Sequence, residues 1–151
     1  MKKLIALFMF VALGINAYAD KGDVTVGVHL YDNPKVDPNL FGGGVSVLYN
    51  FSDHFRGKAI ASVISGSDVG CGVDAAVELQ WGFNLGERFV LYPAIGGGYL
   101  NIDGLSGASF LIGPGCEYYI NDNWGIGLDI RGQIMSEGAG LPITLGVTYT
   151  F

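Results

Sequence analysis

Arg56 and Lys58, Asp74 and Glu78, Glu117, and Asp129 and Arg131 all stand in runs where every second residue is apolar. An extended chain points successive side chains to opposite sides, so each of these charges shares the face opposite its apolar neighbours. Two kinds of chemistry are open to three cations and four carboxylates gathered on protected faces. They can neutralise one another as buried ion pairs, because an unpaired buried charge is costly, or they can line a gated path for ions. Position along the chain suggests two tiers, with Lys58, Glu117 and Arg56 near one end and Glu78, Asp129 and Arg131 nearer the middle. Gln80, Asn84, Tyr119 and Gln133 belong to the same inward set.

Catalytic residues are scarce. Nucleophilic catalysis needs a hydroxyl or thiol beside a base, and the chain has two histidines. His29 is expected to be inward, packed and hydrogen-bonded, while His54 belongs to the turn Ser52-Asp53-His54 and is expected at the surface. Cys71 and Cys116 fall at opposite ends of strands that are not neighbours, beyond the reach of a disulfide, so two free thiols are expected. The glycine runs 42–44 and 96–98 lack the Gly-Lys-Ser/Thr of a phosphate loop. Asp32, Asp37, Asp68, Asp103 and Glu137, with Lys35 as the lone base, offer the oxygen ligands Ca²⁺ takes; they read better as solvated charge. No catalytic residue, metal site or cofactor is assigned.

The elements that position these groups are strands. From Val24 onward apolar residues recur with period two, most clearly in Val73-Asp74-Ala75-Ala76-Val77-Glu78-Leu79-Gln80-Trp81-Gly82-Phe83. The same reading gives strands over 24–31, 41–51, 55–64, 73–83, 89–100, 108–120, 124–134 and 142–151. Tight turns are expected at Ser52-Asp53-His54, Gly86-Glu87-Arg88 and Asn121-Asp122-Asn123, and longer loops near 32–40, 65–71, 101–107 and 135–141. Glycines such as Gly96, Gly98, Gly113 and Gly115 are expected to make room for large inward groups. Pro93 and Pro114 conflict with strand interiors, since each lacks an N–H; a bulge at Gly113-Pro114-Gly115 is the expected remedy.

Residues 1–19 read as a cleaved signal peptide: Lys2 and Lys3, an apolar run from Leu4 to Ile15, then Ala17-Tyr18-Ala19. The run is short for a membrane helix. The mature domain is expected over 20–151. Without Lys2 and Lys3 it carries six basic and fourteen acidic residues, a net charge of −8, which excludes nucleic acid as a natural partner.

The apolar face also sorts its aromatics by height. Tyr49, Phe51, Phe55, Trp81, Phe83, Phe89, Tyr118, Trp124, Tyr149 and Phe151 gather at the short-turn end, and Phe41, Tyr99 and Phe110 towards the other. Two aromatic belts around an aliphatic band suit the two interfaces of a membrane. With its even strand count and its closing strand Leu145-Gly146-Val147-Thr148-Tyr149-Thr150-Phe151, the chain resembles the small eight-stranded outer-membrane barrels, the porin-like family of the transmembrane domain of outer-membrane protein A and the opacity-type barrels. That resemblance implies an all-β, eight-stranded antiparallel up-and-down transmembrane β-barrel in the bacterial outer membrane. It implies outer-membrane lipids and lipopolysaccharide as partners, and barrel-insertion machinery and periplasmic chaperones during biogenesis, with Tyr149 and Phe151 as the insertion signal. The family's deacylases carry an outward His-x-Ser pair, and its palmitoyl-transferring members carry His, Asp and Ser in external loops; neither pattern occurs here. The reading is a structural or envelope barrel that is not an enzyme. Its alternatives are a narrow gated channel, a lipid A-modifying enzyme, or a soluble secreted ligand-binding barrel.

Overall fold

The computed structural model describes residues 21–36, 39–67 and 69–151, with only the backbone of Leu105. The signal-peptide reading, Asp37 and Asp68 lie outside the described residues. Eight antiparallel strands form a closed meander: β1 (Val24–Asn33), β2 (Leu40–Asn50), β3 (Phe55–Gly66), β4 (Val69–Trp81, extended by Phe83–Asn84), β5 (Phe89–Ile102), β6 (Leu105–Tyr119), β7 (Trp124–Ile130, resumed at Gly132–Met135) and β8 (Gly138–Gly140, resumed at Ile143–Thr150). Pairing of β1 with β8, from Thr25↔Thr150 to Asp32↔Ile143, closes the barrel. No helix occurs among the described residues.

The two faces divide as the alternation requires. Val28 is 62 % and Val77 65 % exposed on the outside, whereas Glu78 and Arg131 are each 4 % exposed inside. At the end where β1 starts and β8 finishes, the termini end of the described residues, the outward aromatics touch one another. Phe55 lies 4.7 Å from Trp81, and Tyr149 packs edge-on against both Trp124 and Phe151 at 5.0 Å. Phe83 departs from its neighbours: its ring stacks on Trp81 and is covered instead of exposed.

The turns at the termini end follow their residue chemistry. Asn121 Oδ1 accepts the N–H groups of Asn123 and Trp124 at 3.0 and 2.9 Å, and Ser52 Oγ accepts that of Phe55 at 3.0 Å. The opposite end corrects the sequence reading. Three of the four expected longer loops are hairpin tips, because pairing runs on through polar residues. Asn101↔Ser106 and Ile102↔Leu105 are still in register, leaving only Asp103-Gly104 to turn, with Gly104 at φ +83°. Asp-Gly is a favoured two-residue hairpin turn for this reason. With 14 and 15 residues, β5 and β6 exceed the roughly 9–11 needed to cross a bilayer, so their tips stand clear of it.

Pro93 and Pro114 are accommodated without a bulge. They oppose each other across β5 and β6 in unbroken register. A pair in which neither residue donates is the non-hydrogen-bonded pair of an antiparallel ladder, so the nitrogens lacking hydrogen are directed away from each other, towards β4 and β7. Those are the places where the ladder lapses, beyond Trp81 in β4 and at Arg131 in β7. Register agrees on both sides of the β7 lapse, with Ile112↔Gly132 and Gly115↔Asp129.

The glycines serve a tighter purpose than expected at some positions. A Cβ at Gly96 or Gly113 would strike a main-chain oxygen of the next strand, Val77 O or Ile130 O. At Gly115 the expected role holds, since the Tyr92 ring and Asp129 occupy the space. At Gly96 the added carbon would also meet Glu78 Cγ at 2.9 Å. Gly96→Val should therefore cost about 1–3 kcal/mol through overpacking, measured as a lowered urea midpoint of the refolded barrel; an unchanged midpoint would refute the close approach.

Candidate functional site in the barrel lumen

Inward positions of β3, β4, β6 and β7 pair six of the seven predicted charges, all but Asp74. Arg131 is at their centre. Its Nε and Nη2 donate to Glu78 Oε1 and Oε2 at 2.8 and 2.9 Å, and Nη2 donates to Asp129 Oδ1 at 2.7 Å. This two-pronged grip is the geometry in which a guanidinium holds a carboxylate best. Its Nη1 donates to Pro114 O at 2.6 Å and Ile130 O at 3.3 Å. Ile130 O faces the proline that has no N–H to offer, so the side chain mends the lapse in the ladder.

Lys58 corrects the expected tiers. It stands directly across from Glu78 in the β3–β4 register, yet its Nζ donates to Asp129 Oδ2 at 2.6 Å. Arg131 spans both oxygens of Glu78, whereas it touches only Oδ1 of Asp129; Asp129 Oδ2 accepts from Lys58 and from Thr144 at 3.3 Å. The lower group is Arg56 with Glu117, joined at 3.1 Å, with Glu117 also accepting from Tyr119 at 3.2 Å and from Thr148 at 2.7 Å. Tyr92 links the two groups. Its hydroxyl donates to Asp129 Oδ1 at 2.7 Å while the Arg56 guanidinium lies 4.2 Å from its ring centroid, a cation–π distance.

Asp74 is inward and buried as expected, but it joins no ion pair; its Oδ1 has no hydrogen-bond partner. Its cross-strand neighbour Ser62 shares a 2.9 Å hydrogen bond with His29 Nε2, which places His29 inward and bonded. Above this level Asn33, fully buried, donates to Gln133 Oε1 at 3.0 Å and to the Tyr31 hydroxyl at 3.2 Å, and accepts the Leu141 N–H at 2.8 Å. It thereby bridges β1 to the part of β8 where their ladder has ended. An apolar stopper of Tyr31, Val36, Leu40, Ile64, Leu100 and Ile102 fills the barrel at this end. Sequence reasoning missed Tyr92, Asn33 and the stopper, although parity alone puts Tyr92, Ile64 and Leu100 inside.

One lumenal cavity beside Lys58, Tyr92 and Glu117 and another beside Tyr31, Asp74 and Arg131 each hold about 30 Å³, room for water. Cys71 is exposed and Cys116 half-buried, both as free thiols. Among the described residues no three His, Cys, Asp or Glu side chains gather as metal ligands. No helix among them is long and apolar enough to cross a membrane, which says nothing of strands.

The profile of the outer membrane protein beta-barrel domain matches residues 4–151. The chain belongs to that family. It is an outer-membrane β-barrel protein of the bacterial envelope. Solved structures repeat its fold. The N-terminal β-barrel domain of OprF from Pseudomonas aeruginosa has a TM-score of 0.72 at 21 % identity, covering 88 % of this chain and 100 % of that one. Ail, the attachment invasion locus protein of Yersinia pestis, has a TM-score of 0.59 at 16 % identity, covering 87 % and 99 %. A transmembrane β-barrel designed de novo has 0.61 at 15 % identity, covering 88 % and 98 %. That a designed sequence shares the architecture means that the fold by itself assigns no activity. No curated protein matches this chain.

Proposed function

We propose that the protein is a structural barrel of the outer membrane whose lumen is a closed ionic plug and which has no catalytic site. The observation that carries this reading is Arg131, which is tied to two carboxylates and two main-chain carbonyls at once. A group so engaged is placed to hold walls together, and the two lumenal cavities near it are small, about 30 Å³ each. On this reading Arg56, Lys58, Glu78, Glu117, Asp129 and Arg131 are structural, and Asp74 completes the polar lining. Outer-membrane lipids and lipopolysaccharide surround the wall. Tyr149 and Phe151, outward and in ring contact, suit recognition by barrel-insertion machinery, with a leader ending at Ala19 and periplasmic chaperones serving delivery.

Planar-bilayer recording of the refolded protein tests the plug. The expected result is no resolved conductance steps in the wild type. The gated-channel reading takes its support from the ionic lining, and it predicts steps that grow in Arg131→Ala while stability holds. A lipid A acyl-chain assay on membranes overexpressing the protein should show no change; altered acylation would restore the enzyme reading.

A further inference from the structure

The outer wall is not uniformly covered by large apolar side chains. On one side of the wall β3 presents Gly57 and Ala59 and β5 presents Gly97, where many outward positions carry Val, Leu or Ile, with Val77 and Leu79 of β4 standing between them. The ladder places these in adjoining rows, with Ala59↔Val77↔Gly97 in one and Gly57↔Leu79↔Ile95 in the next. The result is a hollow of about 670 Å³. Tyr49 and Phe51 rise on one side, with Phe51 leaning over Gly57, and Ile95 and Phe110 rise on the other.

Several observations limit what can fill it. Its lining is apolar side chains and the backs of paired strands, whose N–H and C=O groups are spent in the sheet, so nothing there would recognise a polar ligand. It is continuous with the exposed aliphatic wall, where Val45, Val63 and Ile112 stand, and family membership puts that wall against lipid. A void there would forfeit dispersion contacts that hydrocarbon can supply. A second copy fits poorly, because a two-fold interface joins the same patch on both subunits and a hollow facing a hollow is not complementary. The Tyr49–Phe51 aromatic pair marks the membrane interface at one margin, and the hollow extends from it towards mid-wall. A hydrocarbon chain entering at that margin runs from the interface into the hydrocarbon core, where one leaflet is about 15 Å deep.

We propose that this hollow seats one acyl chain of a phospholipid from the leaflet at the termini end, and retains it longer than the lipids around the rest of the wall. Gly97→Leu tests it by filling the floor. A Cβ there meets nothing closer than 3.6 Å, so the sheet is left intact; Ala59→Leu is the second filling variant, and Val28→Leu on β1, outside the hollow's lining, is the control. Each protein is refolded in vesicles of phosphatidylethanolamine with lipopolysaccharide, checked for heat-modifiable gel migration, extracted in mild detergent and weighed intact by native mass spectrometry. One retained phosphatidylethanolamine per wild-type and Val28→Leu barrel is expected, with its loss in both filling variants. Retention unaffected by both filling variants, no retained lipid in the wild type, lipopolysaccharide as the retained species, or a dimer that the filling variants abolish would each overturn the proposal.

Discussion

Arg131→Ala should lower the unfolding free energy of the refolded barrel by about 3–5 kcal/mol, the cost of leaving a buried ionic partner uncompensated. Glu78 would lose both of its guanidinium bonds and keep only the 3.2 Å contact from Gln80 Nε2. Asp129 would fare better, retaining Lys58 and Tyr92. Ile130 O would lose the donor that stands in for the missing proline N–H, and Pro114 O would lose its 2.6 Å partner. Arg131→Lys separates these contributions: one ammonium can neutralise Glu78 but cannot span two carboxylates and two carbonyls, so it should recover only part of the loss. Urea titration read by heat-modifiable gel migration measures both variants. A loss below about 1 kcal/mol for Arg131→Ala, the scale of an exposed pair, would show that the network does not hold the walls together.

The reason this network was partly legible in the sequence lies in parity. Period-two alternation decides which face a residue takes, and every charge assigned to the lumen lies there. It does not decide height across a closed barrel, because strand stagger sets which residues meet through the lumen. Lys58 could therefore be placed inside from spacing, but its choice of Asp129 over its own ladder partner Glu78 could not. The polar hairpin tips failed for a different reason. Asn101 to Ser106 have loop composition, and only the Asp103-Gly104 pair, read as a two-residue turn, would have signalled that pairing continues. Asn33 fell outside the expected β1 because Asp32-Asn33-Pro34 reads as a turn, whereas the structure uses Asn33 as a clasp. The prolines are opaque in sequence because spacing along one strand does not show what stands across from each. Their compatibility depends on their standing opposite each other, a tertiary fact.

The second large effect concerns the wall itself. Val28 is near the middle of β1, flanked in the ladder by Val45 and Val147, and all three are exposed. In water that exposure would make Val28→Arg almost neutral, within about 0.5 kcal/mol. Against hydrocarbon the same substitution should cost about 2–4 kcal/mol at the bilayer midplane and about 0–1 near an interface. Val24→Arg, at the termini end of the same strand and also outward, supplies the interfacial comparison. The expected result is a graded loss in phospholipid vesicles, large at Val28 and small at Val24. The gradient matters more than either value, because general disruption of β1 would penalise both positions alike. Only a medium whose polarity changes with depth penalises one and spares the other. Equal and negligible losses at both sites would mean that this apolar wall meets water, and the ionic lumen would then have to be explained without a membrane.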